Sequence, residues 1–559
     1  MATAAEAAAI DQATIASGVD SFALMCRAGT EVAAHILGHH ADRFSQGVCL
    51  CAGVGNNGGD AYIVAAQLYR AGVRVRLRVV APPRTSDAQR AAALWENTCS
   101  TWATCVDTID TPINERLIVD GVLGTGHRGE LRTESAVLCG VITQAHANGA
   151  YVVALDIPSG VDATSGDVSD GAVIADETLT FGTIKRGLLL QRAHAGRMVL
   201  IDIGVGEQMS QVHVEQTMPA WWHPPSGLRS SVPHIAWNAH KGRRGRVAVA
   251  GGDTGMAGAV VLACRAALTA GGGVVHAIVD EPSVAAVQAL VPQVIARGWP
   301  PLATSHKVDA LRLTPSESGQ APRYDALAIG PGLGRSRLSS HVLQRLVDSY
   351  RQGPLVLDAD ALWLAAEAAT ALGTDTASLL RYWLRDTPHA VLTPHPGEFA
   401  RMTGEPLPAT WDARVARVHE LAQRTSAVVL LKGTPTVVAV PLEAGVHVVP
   451  HGTPVLATGG SGDCLTGIIA ALLAQGATGA SAAIVGATVH GVAAELVSGE
   501  SGGPYVAGPA GPAGPAGYRG HLLDAVLEAM PEAWERIADA SGAPYVDSVG
   551  CATALPFVR

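Results

Sequence analysis

A glycine-rich turn that runs directly into an apolar helix carries the clearest chemistry in this sequence. Residues 457–476 read ATGGSGDCLTGIIAALLAQG, and Asp463 lies in the first turn of the predicted helix. Free backbone N–H groups at such a helix start can hold a phosphate whose charge rises during transfer. The helix dipole favours the ionised form of Asp463, which could then accept a proton from a substrate hydroxyl. A plain N-cap aspartate is the alternative, although TGGSGD holds more glycine than a cap requires.

A second set of polar residues follows predicted strands in the first 200 residues. Asn57 follows one strand, Asp120 ends another, and Asp156 and Ser159 follow a third. Because the carboxyl ends of parallel strands share one edge of a sheet, we expect these side chains to lie close together. Hard oxygen ligands of this kind suit an alkali or alkaline-earth cation better than zinc. Each turn taken alone could be an ordinary capped turn.

Charged groups also follow the later predicted strands. Strand ends occur in VLDADAL (356–362), LTPHPGEFARM (392–402) and LLKGTPT (430–436), and IGPGLG (329–334) is another glycine loop. Lys432 lies at such a strand end. We therefore expect a second ligand site at the carboxyl edge of a second sheet.

Short apolar runs rich in β-branched residues alternate with helical stretches along the whole chain. Runs of this kind that end in Gly, Asp or Pro are typical of parallel strands buried on both faces. The sequence therefore predicts an α/β protein of two three-layer αβα domains. The predicted strands lie at 47–53, 73–81, 116–122 and 150–158, and then at 246–252, 272–279, 326–332, 355–360, 390–395 and 427–433.

Composition and charge exclude several classes of protein. The 559 residues carry a formal charge of −10, which argues against a nucleic-acid binder. Apolar residues make up 48% and charged residues 16%, so the chain as a whole is not disordered. Nine scattered cysteines form no CxxC pair, which predicts free thiols in a reducing cytosol. We find no secretory signal and no unbroken apolar span, and we expect a cytoplasmic protein without a membrane partner.

The first part of the chain resembles the NAD(P)H-hydrate epimerase family. The resemblance rests on NNGGD, DGVLGTG, DIPSGVD and TLTFGTIKRGL, in that order, over roughly residues 10–205. It implies a Rossmann-like domain that binds hydrated nicotinamide nucleotide and a potassium ion (K⁺). Potassium would be held by Asn57, Asp120 and Ser159. Asp156 would be the acid/base, with Lys185 instead of it or beside it. The residues implied to contact the nucleotide are Asn56, Asn57, Gly58, Gly59, Asp60, Gly124, Thr125, Gly126, His127, Arg128, Gly129, Glu130 and Asp156.

The second part resembles ribokinase-like proteins, and among them the ADP-dependent NAD(P)H-hydrate dehydratases. The resemblance rests on HKG, GPGLG, DADAL, TPHPGE, LLKG and TGGSGD, in that order, over roughly residues 235–535. It implies Asp463 as the catalytic base, ADP as co-substrate, and Mg²⁺ carried with the nucleotide. The implied hydrate contacts are Ala259, Gly334, His395, Pro396, Gly397, Glu398, Phe399, Ala400, Arg401 and Asp463. The implied ADP contacts are Lys432, Gly433, Thr434, Pro435, Thr436, Thr453, Pro454, Val455, Leu456, Ala457, Thr458, Gly459, Gly460, Ser461 and Gly462.

The two resemblances fit one chemical problem. Hydrated NADH or NADPH carries a hydroxyl on C6 of the dihydropyridine ring, beside the ring nitrogen. Hydroxide is a poor leaving group, but phosphate leaves readily once ADP has phosphorylated that hydroxyl, and AMP is the other product. A kinase-like pocket holds only one hydroxyl in line, here that of the S hydrate. A fused epimerase would make the R hydrate usable as well.

Two alternatives from other classes stay open. The second domain could be an ordinary small-molecule kinase that releases a stable phosphoester, although TPHPGE and HKG argue against that. The first domain could be a non-catalytic nucleotide-binding module, although such a module has no need of the polar set at the strand ends.

The predicted domain boundaries follow changes in composition. We expect an epimerase domain at 1–210, a proline- and tryptophan-containing linker at 211–235, a dehydratase domain at 236–540 and a tail at 541–559. Residues 299–323 and 502–520 are expected to be insertions. The expected partners are small-molecule substrates, with no nucleic acid, and we expect a homo-oligomer.

Overall fold

The computed structural model describes residues 1–99, 106–206, 218–299, 324–498 and 518–538. These residues form two compact units, one within 1–206 and the other from 218 onward. The predicted insertions at 299–323 and 502–520 lie almost wholly outside the described residues, and the tail at 541–559 lies outside them entirely.

The first unit is built on a parallel sheet of seven strands in the order β3-β2-β1-β4-β5-β6-β7. The strands are β1 (Val48–Ala52), β2 (Val75–Val79), β3 (Val106–Asp107), β4 (Leu117–Gly121), β5 (Tyr151–Leu155), β6 (Glu177–Phe181) and β7 (Arg197–Ile201). The helices are α1 (Ala4–Ala16), α2 (Ser21–His39), α3 (Asn56–Arg70), α4 (Ser86–Thr98), α5 (Thr133–Ala147), α6 (Arg186–Leu190) and α7 (Arg192–Ala195). A 3-10 helix spans Ala41–Gln46.

Alternate residues of β1 belong to two different apolar cores, which makes this unit three layers deep. Leu50 and Ala52 pack in a core shared with α2, α3 and α4. Cys49 and Cys51 pack in a core shared with α5. Since successive side chains of a strand point to opposite faces, helices must cover both faces of the sheet. The predicted three-layer fold is confirmed.

The second unit is built on a sheet of ten strands in the order β11-β10-β9-β12-β13-β14-β15-β16-β17-β8. The strands are β8 (Ala220–Trp222), β9 (Arg246–Ala250), β10 (Val274–Asp280), β11 (Ile295–Trp299), β12 (Ala326–Ile329), β13 (Leu355–Leu357), β14 (Ala390–Leu392), β15 (Val428–Leu431), β16 (Thr436–Ala439) and β17 (Val446–Val449). The helices are α8 (Ala257–Thr269), α9 (Val284–Leu290), α10 (Arg337–Ser349), α11 (Asp360–Ala371), α12 (Thr376–Trp383), α13 (Pro396–Thr403), α14 (Trp411–Thr425), α15 (Ser461–Ala474), α16 (Gly479–Val497) and α17 (Leu523–Ala538). Short 3-10 helices span Pro225–Ser231, Glu281–Ser283 and Pro454–Leu456.

The prediction that this second sheet is parallel throughout is wrong at one edge. β16 runs antiparallel to both β15 and β17. The segments that join these three strands are only a few residues long, too short for the crossover that parallel neighbours require. The remaining pairings of this sheet are parallel. All ten strands predicted from the sequence, four in the first unit and six in the second, are present.

The predicted linker at 211–235 is too long. Residues 220–222 of that stretch form β8, which pairs with β17 at the edge of the second sheet. The 3-10 helix Pro225–Ser231 packs against α16 and α17. Residues 220–231 therefore belong to the second unit, because β8 pairs with its sheet and Leu228 of the following helix is buried in its core. Residues 211–217 lie outside the described part of the chain.

One helix among the described residues, α16, is long and apolar enough to cross a membrane by length and composition alone. Within this structure 89% of its apolar stretch is buried. It packs in the main core of the second unit with α8, α15 and α17.

Candidate active sites

A cavity of about 790 Å³ opens in the first unit where the strand order reverses, between β1 and β4. Such a reversal leaves a crevice at the carboxyl ends of the strands, where ligands of α/β proteins bind. The structure brings most of the predicted nucleotide-contacting residues to this cavity. Those that line it are Asn56, Asn57, Asp60, Gly124, Thr125, Gly126, His127, Arg128, Glu130 and Asp156, with Lys185 beside them.

Three predicted nucleotide contacts lie outside the lining of this cavity. A Cβ added at Gly58 would lie 2.0 Å from the carbonyl oxygen of Gly53, and one at Gly59 would lie 2.7 Å from the side chain of Met25. These two glycines let α3 pack closely on its neighbours. Gly129 has φ +70, a backbone conformation that favours glycine.

The predicted potassium ligands lie together in a buried hydrogen-bond network. The Asp120 carboxylate accepts bonds from the Ser159 hydroxyl (2.6 Å), the Ser159 N–H (2.8 Å) and the Val122 N–H (3.1 Å). The Asn57 amide donates to the Leu123 carbonyl at 2.8 Å. Burial raises the pKa of Asp120, and the donors from Ser159 and Val122 oppose that rise. The network brings one carboxylate and several neutral oxygens together beside the backbone of residues 122–123, directly after β4.

Asp156 is held in place by a buried lysine. The ammonium of Lys185, only 3% exposed, forms an ion pair with Asp156 and donates to the Phe181 carbonyl at 2.7 Å. The Phe181 N–H donates to the Asp156 carboxylate at 3.0 Å. Asp156 has φ 63, an uncommon backbone conformation that aspartate tolerates better than most residues. These contacts therefore hold the Asp156 side chain in one orientation at the cavity.

Asp60 and Asp11 are among the other carboxyl groups that line the cavity with Asp156. Burial raises the pKa of Asp60 well above its usual range, and the charges of Asp156 and Asp11 add to the rise. Asp11 lies on α1 and also lines the cavity. Asp11 is not among the site residues predicted from the sequence. The sequence does contain one indication of it: Asp11 lies at helical spacing from the apolar residues Ala7 and Ile15.

In the second unit, charged side chains converge from the carboxyl ends of β13, β14 and β15. Lys432 follows β15, and its ammonium lies 2.6 Å from the carboxylate of Asp358, which follows β13. The other Asp358 oxygen accepts a bond from the Thr466 hydroxyl at 2.7 Å. Asp358 is buried, and each of its carboxylate oxygens has one of these two polar partners. The sequence analysis noted the DADAL motif but did not propose Asp358 as a site residue.

The glycine turn before α15 packs directly on this ion pair. A Cβ added at Gly462 would lie 2.9 Å from the Lys432 ammonium nitrogen. Burial alone would lower the pKa of Lys432, but the carboxylates of Asp358 and Glu398 outweigh it, and the pKa is raised. A permanent cation thus lies directly beside the backbone of the turn. This is the arrangement that an anion at the helix start requires.

Asp463 is the third residue of α15 and lies among other acidic groups. Burial raises its pKa to about 7, and the negative charge of Asp358 adds to that rise while Lys432 opposes it. The preference of the helix dipole for the ionised form of Asp463 is therefore outweighed near and below neutral pH. Desolvation and like charges outweigh a dipole effect of roughly 0.3–1 kcal/mol.

The PHPGE motif forms the start of α13 and locks its own side chains. The ring nitrogen Nδ1 of His395 accepts bonds from the Gly397 and Glu398 N–H groups, at 3.0 and 3.3 Å. Glu398 accepts a bond from the His395 N–H at 2.9 Å. Burial raises the pKa of Glu398 against the pull of Lys432. This motif thus adds a second carboxyl group of raised pKa near Asp463.

The remaining predicted contacts of the second unit divide into accessible and buried ones. The side chains of Phe399 and Val455 lie in the apolar interior, so they cannot reach a ligand. Arg401 points toward Glu367, with 3.3 Å between their charged groups. The Gly334 N–H donates to the Asp360 carboxylate at 2.9 Å.

The loop that begins at His451, ahead of the predicted nucleotide-binding stretch 453–462, is anchored from α16. The buried carboxylate of Glu495 accepts a bond from the Gly452 N–H at 3.1 Å, and it lies 3.2 Å from the His451 ring nitrogen Nδ1. The Thr453 hydroxyl accepts a bond from the Val455 N–H at 3.4 Å. The backbone just before the predicted nucleotide-binding stretch 453–462 is therefore held in place by Glu495.

Two family models match the chain, one in each unit. The model described as YjeF-related protein N-terminus matches residues 21–187, and the model described as NAD(P)H-hydrate dehydratase matches residues 247–508. A Bacillus subtilis ADP/ATP-dependent NAD(P)H-hydrate dehydratase, co-crystallised with ATP and Mg²⁺, is 26% identical in sequence. The match covers 58% of this chain and 100% of that one, with a TM-score of 0.44.

Two curated relatives extend over both units. A bifunctional NAD(P)H-hydrate repair enzyme of Coxiella burnetii is 34% identical, over 88% of this chain and 94% of its own length. One of Moorella thermoacetica is 33% identical, over 90% of this chain and 93% of its own length. The resemblance inferred from the motifs is confirmed: the chain belongs to the family of bifunctional NAD(P)H-hydrate repair enzymes.

Proposed function

We propose that this chain repairs hydrated NADH and NADPH through two activities. The first unit interconverts the R and S hydrates at C6. The second unit dehydrates the S hydrate to NADH or NADPH while ADP is converted to AMP and phosphate. The observation that carries the proposal is the position of Asp463, in the first turn of α15 and close to the Lys432–Asp358 ion pair.

The dehydration proceeds as a phosphoryl transfer followed by an elimination. Asp463 accepts the proton of the C6 hydroxyl while the hydroxyl oxygen attacks the β-phosphorus of ADP. AMP departs. The ring nitrogen then supplies its electron pair, the C6–O bond breaks and phosphate leaves. Loss of a proton from C5 to solvent returns the electron pair to nitrogen and reforms the diene. The backbone N–H groups of Gly459–Gly462 and the charge of Lys432 neutralise the transferring group.

The acidic groups around Asp463 fit a nucleotide that brings its own cation. Asp358, Glu398 and Asp463 lie near one another, and mutual repulsion adds to burial in raising the pKa of both Glu398 and Asp463. A divalent ion bound to the nucleotide phosphates would relieve that repulsion, and Mg²⁺ prefers such oxygen-rich surroundings. Mg²⁺ would supply charge neutralisation at the phosphates.

The pKa of Asp463 gives the dehydratase a pH dependence of defined sign. A base works only when ionised, and burial raises this pKa to about 7. We expect kcat/KM, which reports on the free enzyme, to rise as pH increases from 5 to about 7 and then to level off. The measurement is kcat/KM for the purified S hydrate across that range. A profile that is flat from pH 5 to 8 would show that Asp463 does not act as a base of this pKa.

In the first unit, the proposed acid/base is Asp156 with Lys185 as its partner. The lysine fixes the Asp156 carboxylate at the cavity, where it can accept a proton as the configuration at C6 changes. The nucleotide lies along Asn56, Asn57, Asp60 and the loop 124–130. The prediction that Lys185 acts itself stays open, because the same ion pair places its ammonium beside the cavity.

We further propose that Asn57, Asp120 and Ser159 hold potassium. These residues supply one full negative charge and several neutral oxygens, which suits a large and weakly hydrated monovalent ion better than a divalent one. A purely structural network is the alternative, because both Asp120 oxygens already accept hydrogen bonds within the protein.

Epimerisation is therefore expected to depend on potassium. Replacing potassium with a large organic cation at equal ionic strength should lower the epimerase rate, and Asp120→Asn should weaken that dependence, because the ligand charge is gone. The measurement is the rate of R-to-S conversion across a potassium titration after thorough dialysis. A rate that does not change over the titration would indicate a structural network.

The direct test against an ordinary kinase is an analysis of products. A chain that acts as proposed converts the S hydrate and ADP to NADPH, AMP and free phosphate in equal amounts. A small-molecule kinase would instead accumulate a phosphorylated product. We propose ADP as the co-substrate, on the motif resemblance to the ADP-dependent dehydratases, and ATP is the comparison. Cytoplasmic location and a homo-oligomer stay predictions.

A further inference from the structure

Helix α1 forms one wall of the cavity in the first unit. Ala7, Ile10, Asp11 and Ile15 all line that cavity. Ala7 precedes Ile10 by three residues and Asp11 by four, so these side chains lie on one face of the helix. The match to the YjeF-related family model begins at residue 21, so α1 lies outside it. This wall is a feature of the chain that the family match does not describe.

Hydrogen bonds tie the start of α1 to the segment that carries Lys185. The Ala2 N–H donates to the Ile184 carbonyl at 3.0 Å, and the Arg186 N–H donates to the Ala2 carbonyl at 2.8 Å. Ala2 thereby pairs with Lys185 as an isolated parallel bridge. The position of α1 is therefore fixed relative to the ion pair that Lys185 forms.

We infer that Asp11 is a second catalytic acid/base of the epimerase and acts on the same substrate as Asp156 from a different wall of the cavity. The inference rests on the epimerase function proposed above. Asp11 is exposed at the cavity and faces solvent in the absence of substrate. A nucleotide in the cavity would cover it.

The charged surroundings of Asp11 and Asp156 differ. Asp156 is paired with Lys185, whereas no described cation lies within ion-pair distance of Asp11. Partial removal from water raises the pKa of Asp11 against the pull of Lys185, and the charge of Asp156 adds to the rise. The raised pKa of Asp11 suits a proton donor, and the carboxylate that Lys185 pairs with suits a proton acceptor at the same site.

The reaction then needs a proton donor on one side of its intermediate and a proton acceptor on the other. Asp11 donates its proton to the C6 hydroxyl, the C6–O bond breaks, and water leaves as the ring nitrogen forms a double bond to C6. A water molecule adds to the opposite face of C6, the electron pair returns to nitrogen, and Asp156 accepts the proton of that water. One proton has moved from Asp11 to Asp156, and exchange with solvent restores the starting state.

The test uses the full-length chain, potassium, and the purified R hydrate of NADPH without any adenine nucleotide, so that dehydration cannot occur. Chromatography of the two epimers gives kcat and KM for R-to-S conversion. Asp11→Asn is expected to lower kcat by about 10²-fold or more with KM nearly unchanged. Asp11→Glu, which keeps a carboxyl group, should retain more of the rate. Asp42→Asn, an exposed aspartate outside the cavity, is the matched control and should match wild type.

The outcomes separate this inference from the proposed function. A wild-type chain that does not interconvert the epimers overturns the epimerase function itself. An active wild type with an Asp11→Asn variant within a few-fold of it overturns only the role of Asp11. Thermal unfolding of each variant shows whether it folds. If Asp11→Asn does not fold, a folded Asp11→Glu variant decides: a changed kcat at constant KM supports the role, and an unchanged kcat overturns it.

Discussion

Asp463→Asn is expected to abolish dehydration of the S hydrate while leaving the chain folded. The amide has the shape of the carboxyl group but cannot take up the proton of the C6 hydroxyl. Loss of a positioned base costs about 10²–10⁴-fold in rate. Restoration of reduced-nicotinamide absorbance with ADP and Mg²⁺ measures the effect, and KM for ADP should change little.

Stability provides an independent control for this variant. The pKa of Asp463 is raised to about 7, above its value in an unfolded chain. The folded state therefore loses stability as pH rises from about 4 through 7, where the carboxyl group ionises against its neighbours. A neutral asparagine removes that cost, so at pH 8 the variant should unfold at the same temperature as wild type or higher. Asp386→Asn, at an exposed turn, is the matched control. An Asp463→Asn enzyme within a few-fold of wild-type rate would remove the base from the mechanism.

Asp156→Asn is expected to stop use of the R hydrate and to spare direct dehydration of the S hydrate. Asparagine tolerates the positive φ at this position, whereas alanine would add backbone strain. The substitution leaves the Lys185 ammonium without its carboxylate, and it removes the group that accepts the proton. A loss of about 10²–10⁴-fold in epimerisation follows if Asp156 is the base.

A mixture of epimers shows this loss as a stalled progress curve. With ADP present, the variant should consume the S hydrate at the wild-type rate and then stop, and spontaneous epimerisation would add only a slow tail. Early time points separate the two phases. A curve that runs to completion at the wild-type rate would exclude Asp156 from the reaction.

The sequence predicted the strand ends well because parallel strands place their carboxyl ends at one edge. Asn57, Asp120 and Ser159 are far apart in the chain, yet strand order alone brings them together. The same logic placed Lys432 and Asp463 in one region. A glycine turn before an apolar helix is a local signal, and the start of α15 forms as predicted.

Other features depend on contacts that no local pattern reports. The pKa of Asp463 follows from burial and from Asp358, which lies 105 positions earlier in the chain. The helix dipole was visible in the sequence, whereas these larger effects were not. Asp11 was not predicted, because it reaches the cavity only through the packing of α1 against the rest of the first unit. The antiparallel β16 was missed because its flanking turns are too short for a crossover, and the prediction did not use loop length.

The account is tested most directly by one progress curve. Equal amounts of R and S hydrate of NADPH are incubated with the wild-type chain, potassium, Mg²⁺ and ADP, and absorbance of the reduced nicotinamide is followed. If the chain has both activities, NADPH is recovered in full, at a rate well above that of spontaneous epimerisation. One free phosphate and one AMP are released for each NADPH formed. Recovery that stops at half, or phosphate retained in a stable ester of the hydrate, would contradict it.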